Sequence, residues 1–204
     1  MSLKTLKRTQ ELVVQAQEGD ASALDQLCGV YTERVRRIVR LRMGPELRAQ
    51  LESMDVVQEA LVEAVMDLDQ FVYSSEGDFL RWLSRIVENT IRDNIDRIHA
   101  ARRDIHKQVP LDDVGEHANR GSLGARLPAV TTTPSAVLSF REDLDRLEKS
   151  IDQLKPEYHE VIVLAKIEGF SCKEIAEKLN KSPAAVAMLL SRAIVAVTNL
   201  LEKV

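Results

Sequence analysis

Residues 171–186 run Ser171-Cys172-Lys173-Glu174-Ile175-Ala176-Glu177-Lys178-Leu179-Asn180-Lys181-Ser182-Pro183-Ala184-Ala185-Val186. Ser171 and Glu174 have the spacing of a capping box, which starts a helix. Ser182 before Pro183 places an N-cap ahead of a proline at the first helical position, which starts a second. Only a short turn separates the two, and Ala176 is small where they must approach. The pattern predicts a helix-turn-helix, whose second helix can enter a DNA major groove. A helical hairpin that binds protein is the competing reading.

The rest of the composition suits helices. Of 204 residues, 45% are hydrophobic and only 4% aromatic, with 8 Gly and 6 Pro. That balance supports buried cores and disfavours a β-sandwich. No long apolar run stands out, so no membrane insertion is expected. The start, Met1-Ser2-Leu3-Lys4, has no apolar leader. Cys28 and Cys172 lie far apart without metal-ligand neighbours, and His99, His106, His117 and His159 share no ligand spacing. Reduced thiols, no metal, no cofactor and a cytoplasmic setting are expected. No Gly-rich phosphate loop and no nucleophile–base pair suggests an enzyme or a small-molecule substrate. The net charge is −4. Proteins that live on DNA alone usually carry a basic excess, so a second partner is expected.

Helical periodicity fills both ends of the chain. Glu11 to Glu18 predicts a first helix closed by Gly19, and Asp20 caps a second that runs to Met43 and breaks at Gly44-Pro45. Asp55 with Gln58 opens a third, with Val57, Ala60, Leu61, Ala64, Val65 and Leu68 as its core stripe. A polar loop over 71–78 precedes a fourth, buried through Leu80, Leu83, Val87, Ile91, Ile95 and Ile98 and reaching Arg103. Residues 104–140 lose all period among Pro110, Gly115, Gly121, Gly124, Pro128, Thr131, Thr132, Thr133 and Pro134. A flexible linker is expected there. Helices return over 142–154 and from Pro156 to Leu164, ahead of the helix-turn-helix. The expected fold is all-α: two small helical domains, 1–103 and 141–204, joined by the linker 104–140.

Four faces suggest function. On the third helix, Asp55, Gln58, Glu59, Val62, Glu63 and Met66 combine acid with exposed hydrocarbon, which suits docking on a basic protein surface or an ordinary amphipathic helix. On the fourth, Arg81, Arg85 and Arg92 share a face, with Arg97, Arg102 and Arg103 beyond; Phe79 and Trp82 sit at its start. Arginines there can grip phosphates while an aromatic holds an unstacked base, a stacking contact worth about 1–3 kcal/mol. The alternative places Trp82 in the core and pairs the arginines with Glu88, Asp93 and Asp96. Arg34, Arg36, Arg37, Arg40 and Arg42 form a further cluster, either on a DNA backbone or simply solvated. In the last helix, Val186, Leu190, Ala193, Val197 and Leu201 form the inner stripe. Ala184, Met188, Ser191, Arg192, Val195 and Asn199 face outward, with Lys173 and Lys181 at the flanks. Ala and Met there can touch thymine methyls.

The combined pattern resembles the bacterial sigma-70 family of RNA polymerase sigma factors, in particular its extracytoplasmic-function (ECF) group. Glu18-Gly19-Asp20, Asp55-Val56-Val57-Gln58-Glu59-Ala60-Leu61, Phe79-Leu80-Arg81-Trp82-Leu83 and Asn89 with Asp93 and Arg97 look like the family's second conserved region. Leu154-Lys155-Pro156-Glu157-Tyr158, Glu168-Gly169-Phe170-Ser171, Glu174-Ile175-Ala176 and Ser191-Arg192-Ala193 look like its fourth.

The resemblance implies that Asp55, Gln58, Glu59, Val62, Glu63 and Met66 bind the RNA polymerase core. It implies that Tyr73, Ser74, Ser75, Phe79, Arg81, Trp82, Arg85, Asn89, Asp93 and Arg97 recognise and open the minus-ten promoter DNA. Lys173, Lys181, Ser182, Ala184, Ala185, Met188 and Arg192 would meet the minus-thirty-five element. An anti-sigma factor is a further expected partner. Where the family often has Thr-Val-Lys-Ser-Arg, this chain has Ala185-Val186-Ala187-Met188-Leu189. Either promoter choice then rests on the N-terminal domain, or the apolar face serves a protein. A conventional helix-turn-helix regulator, and an adaptor that never meets DNA, are the competing functions.

Overall fold

The computed structural model describes residues 3–74, 77–105 and 144–202. Helices α1 (Leu3–Gln17), α2 (Ala21–Arg48), α3 (Ser53–Met66) and α4 (Asp78–Ile105) form the N-terminal bundle. Helix α5 (144–152), α6 (Pro156–Ile162), α7 (Cys172–Leu179) and α8 (Pro183–Leu201) form the C-terminal one. Among the described residues the chain is helical, without strands. The expected linker, 104–140, lies outside the described residues except at 104–105, which still belong to α4.

The N-terminal core gathers around α2. Its Leu27, Tyr31, Val35, Ile38 and Val39 are buried against Val13 of α1, Val56, Val57 and Ala60 of α3, and Phe79, Leu83 and Val87 of α4. Each such aliphatic side chain contributes about 1.5–3 kcal/mol on burial. Asp20 caps α2 by accepting from the backbone N–H groups of Ser22 and Ala23. Gly44, at φ +66 and ψ +170, breaks the helix, and Pro45 restarts it. Nothing lies within 4 Å of where a Cβ would sit at Gly44, so backbone angle rather than space demands glycine. Gln17 fixes the segment after α3: its Nε2 donates to the carbonyls of Leu68 and Phe71, both at 2.8 Å.

Several expectations need correction. Helix α1 begins near Leu3 rather than Glu11. Helix α3 begins at Ser53, and its inner stripe contains Val56 in place of Val65, which is exposed. Helix α8 is long and apolar enough, by length and composition, to cross a bilayer. In the structure it is instead the second helix of the helix-turn-helix, packed on α6 and α7, with Arg192 near its midpoint.

In the C-terminal bundle the capping box forms: Ser171 N–H donates to Glu174 Oε2 at 2.8 Å, and Glu174 N–H to Ser171 Oγ at 3.3 Å. Asn180 takes the left-handed conformation that ends α7 (φ +51). Ser182 Oγ accepts from Ala185 N–H at 3.2 Å to open α8. Helix α6 does not run plainly to Leu164. It widens into a π-helical turn over Val163–Ile167, closed by Glu168 N–H donating to the Val163 carbonyl.

The wider turn sets Glu168 against α2, where the two bundles meet. Leu41 of α2 lies in the C-terminal core, and Ile167 packs on both cores. Arg42 is the hub of this seam. Its Nε donates to Glu168 Oε1 at 2.6 Å, its Nη1 to Glu160 at 2.9 Å, and its Nη2 lies 3.3 Å from Glu88. Arg40 pairs with Glu148 at 2.5 Å and Arg48 with Asp152. Glu168 is wholly buried, and its other oxygen has no hydrogen-bond partner. Burial pushes the Glu168 carboxyl above its usual range, and Arg42 offsets only part of that. Burial also works against the charge on Arg42, but Glu168 and Glu160 more than reverse it, so Arg42 stays charged.

Two outcomes follow from this packing. Removing Arg42 leaves a buried carboxylate unpaired, so Arg42→Met should cost about 3–5 kcal/mol in urea unfolding, with Arg42→Met/Glu168→Met recovering most of it. The cap of α7 is pH-dependent. Hydrogen bonds from Ser171, against some burial and with help from Arg81, hold Glu174 below its ordinary 4.5. Its contribution is present above pH 4.5 and drains as pH falls through the lowered value. Ser171→Ala should cost about 1 kcal/mol at neutral pH by thermal unfolding, and less as acid protonates Glu174.

Candidate nucleic-acid and partner interfaces

On α3 the ridge faces outward. Asp55, Gln58 and Glu59 are exposed, and Val62 and Met66 are 59% and 76% exposed. Glu63 is half-buried and accepts from Thr90 Oγ1 at 3.1 Å. Glu59 is anchored: Arg97 Nη2 and Asn94 Nδ2 each donate to it at 2.9 Å. Burial pushes its carboxyl up, but those two donors outweigh it and keep Glu59 ionised below the usual range. The ridge is therefore charged at neutral pH and held in place from α4. Val65 and Met54, both exposed, widen its hydrocarbon. Val65 stands at one edge of the stripe read from the sequence and is left exposed, while Val56 at the other edge is buried.

The start of α4 carries an aromatic stack. Phe79 is buried and lies edge-on to Tyr31 at 4.8 Å and Phe71 at 5.3 Å. Trp82 leans on Phe71 and Phe79, at 5.0 and 5.5 Å, and is half-buried. Phe79 is thus core in this conformation and supports Trp82 from behind, while Trp82 keeps an open side. Tyr73 is half-buried against Phe71; Ser74 is exposed, and its N–H donates to Asp78 Oδ2 at 3.0 Å. Ser75 lies outside the described residues. Arg85, Asn89, Asp93 and Arg97 are exposed on α4.

Arg81 is not presented to solvent in this conformation. It pairs with Asp78, lies 3.3 Å from Glu174 Oε1 on α7, and donates to the Gly169 carbonyl at 3.3 Å. Gly77 makes room for it, since a Cβ there would sit 2.9 Å from Arg81 Nη1. Between the bundles lies an open cleft of about 620 Å³. Trp82, Arg81 and Arg85 form one wall, and Phe170, Glu174 and Lys178 the other. Lys178 pairs with Glu88 at 2.9 Å. The first helix of the helix-turn-helix therefore stands over the Arg–Trp face of α4.

In the helix-turn-helix itself Lys173, Lys181, Ser182, Ala184, Ala185, Met188 and Arg192 are all exposed. Lys181 lies 3.9 Å from Glu157. The arginine cluster of α2 does something sequence reading did not foresee. Arg36 pairs with Glu33, Arg34 stacks on Tyr31 at 5.1 Å, and Arg40 and Arg42 hold the C-terminal bundle. Their partners lie more than a hundred residues away, so no local spacing announces the pairing.

Comparison with known proteins agrees with this geometry. The family described as ECF sigma factor matches residues 6–197. The ECF RNA polymerase sigma-E factor of Escherichia coli (strain K12) is 30% identical over 93% of this chain and 92% of its own length. The ECF RNA polymerase sigma factor BldN of Streptomyces coelicolor is 27% identical over 95% of this chain, which spans 66% of BldN. Among solved structures, CnrH in complex with the cytosolic domain of CnrY is similar at a TM-score of 0.53 and 26% identity, covering 96% of this chain and 98% of that one. The bundle order, the helix-turn-helix and these matches together place the chain in the ECF group of sigma-70 family sigma factors.

Proposed function

We propose that this sigma factor docks on core RNA polymerase through the α3 ridge, opens promoter DNA with the start of α4, and meets the upstream element with α7 and α8. As a sigma factor it is a regulatory subunit that directs the polymerase to promoters, not a catalyst. The division of labour is 1–103 for core and minus-ten binding, 141–204 for minus-thirty-five binding, with 104–140 between them. The observation that carries the docking assignment is the outward setting of ionised Glu59 beside exposed Val62 and Met66, with Asp55 exposed on the same helix. Such a surface suits a basic partner with its own apolar contacts, and apolar anchors supply most of the affinity in interfaces of this kind. The partner acts where polymerase acts, in the cytoplasm.

Strand opening falls to Trp82 with Arg81 and Arg85. An extruded base costs a few kcal/mol. Stacking on Trp82 returns about 1–3 kcal/mol, and phosphate contacts from the arginines supply the remainder. Glu174 covers Arg81 in the closed arrangement, so promoter engagement requires α7 to leave α4. An anti-sigma factor belongs to the same proposal: CnrH, which this chain resembles across 96% of its length, is held by the cytosolic domain of CnrY.

Purified chain should capture core polymerase in a pull-down, and Val62→Asp/Met66→Asp should reduce capture at least tenfold while leaving helicity unchanged by circular dichroism. Capture unaffected by that pair would remove α3 from the interface. Trp82→Ala should slow promoter opening, followed by 2-aminopurine fluorescence, about tenfold or more while core capture stays within twofold. Equal loss of both with a large drop in Tm would make Trp82 a core residue only.

A further inference from the structure

The fold leaves the outer face of α8 uncovered. Val186 and Ala193 turn inward and are fully buried, and α8 packs on α6 and α7. Diametrically opposite, at helical spacing, lie Ala184, Met188, Ser191 and Val195. Met188 and Val195 are each 57% exposed, which is unusual on the outward side of a helix in a charged chain. From Pro183 to Leu190 the helix has no Arg, Lys, His, Asn, Gln, Asp or Glu. Hydrogen-bonded readout of base edges needs such side chains. The Ser182 oxygen accepts from Ala185 N–H in the α8 cap at 3.2 Å.

A hydrocarbon surface can still distinguish one feature of the major groove, the thymine C5-methyl. The setting favours DNA over an apolar protein. Exposed Lys181, 3.9 Å from Glu157, precedes the N-terminal end of the face, exposed Lys173 opens α7, and exposed Arg192 borders the far side, cations set about a methyl-sized apolar centre. That charge pattern is complementary to two phosphate rows with a thymine-lined groove between them.

We propose that Ala184 and Met188 read thymine methyl groups in the upstream promoter element, with Lys173, Lys181 and Arg192 fixing the register on the phosphates. The proposal rests on the assignment of the helix-turn-helix to that element and names what it recognises there. Specificity comes from shape and hydrocarbon, and the missing polar side chains of this recognition helix become a preference for T·A steps.

The test uses holoenzyme assembled from the full chain and core polymerase, selected on promoter fragments randomised upstream. Enriched fragments should be rich in T·A steps. Replacing thymidine by deoxyuridine in that element alone removes only the methyl, and should weaken binding about fourfold per contacted base. Met188→Ala should shrink the deoxyuridine effect, whereas Lys181→Ala should weaken thymidine and deoxyuridine fragments equally and flatten the salt dependence. A selected upstream element that tolerates deoxyuridine overturns the methyl inference and leaves the upstream contact standing. Absence of any upstream selection overturns both; if Met188→Asp then impairs holoenzyme assembly, the face belongs to a protein.

Discussion

The whole arrangement depends on a guanidinium. Arg42 sits at the end of the longest core stripe in the N-terminal bundle and reaches out to Glu168, Glu160 and Glu88. Glu168 has no exposure to water, so its charge is tolerable only while Arg42 is beside it. That pair places α6 and the π-helical turn against α2. From there the path is short: Gly169, Phe170 and the capping box of α7 fall over the start of α4. Position of the helix-turn-helix relative to Trp82 is thus decided by a pair more than a hundred residues apart in sequence.

Two sides of α4 have different tasks. One side supplies Arg97 and Asn94, which hold Glu59 and keep the α3 ridge charged and aligned. The other presents Trp82, propped by Phe71 and Phe79, beside Arg81 and Arg85. A helix of 28 residues therefore links the surface proposed for polymerase docking with the surface proposed to meet unpaired DNA. The aromatic stack explains why a lone tryptophan can be both supported and available: two tilted neighbours, Phe71 and Phe79, brace it while it stays only half-buried.

Local chemistry was legible in the sequence, and distant chemistry was not. Ser171 with Glu174, Ser182 with Pro183, Asp20 before α2 and the Gly44-Pro45 break all act within a few residues, so spacing alone located them. The exposed Val62 and Met66 followed from helical phase. Val65 and Val56 lie on opposite edges of the α3 stripe, and which edge is covered depends on how α2 and α4 pack against it, which helical spacing alone does not encode. Arg40, Arg42 and Arg48 of α2 defeated reading: which carboxylate each meets depends on how two bundles dock, and neither bundle's periodicity encodes that. The burial of Phe79 was hidden for a related reason, since its ring partners come from α2 and the segment after α3.

The seam between the bundles is built more from charge than from hydrocarbon. Leu41 and Ile167 bridge it, but Arg40, Arg42, Arg48, Arg81 and Lys178 supply most of its named contacts. Partly exposed pairs of this kind weaken as dissolved ions screen them, over a Debye length of about 8 Å at physiological ionic strength, whereas the packed interiors on either side have no such charge attraction to lose. The joint is therefore sensitive to the ionic medium, and a polyanion such as nucleic acid that draws Arg81 or Lys178 away from its carboxylate partner also loosens the hold of α7 on α4.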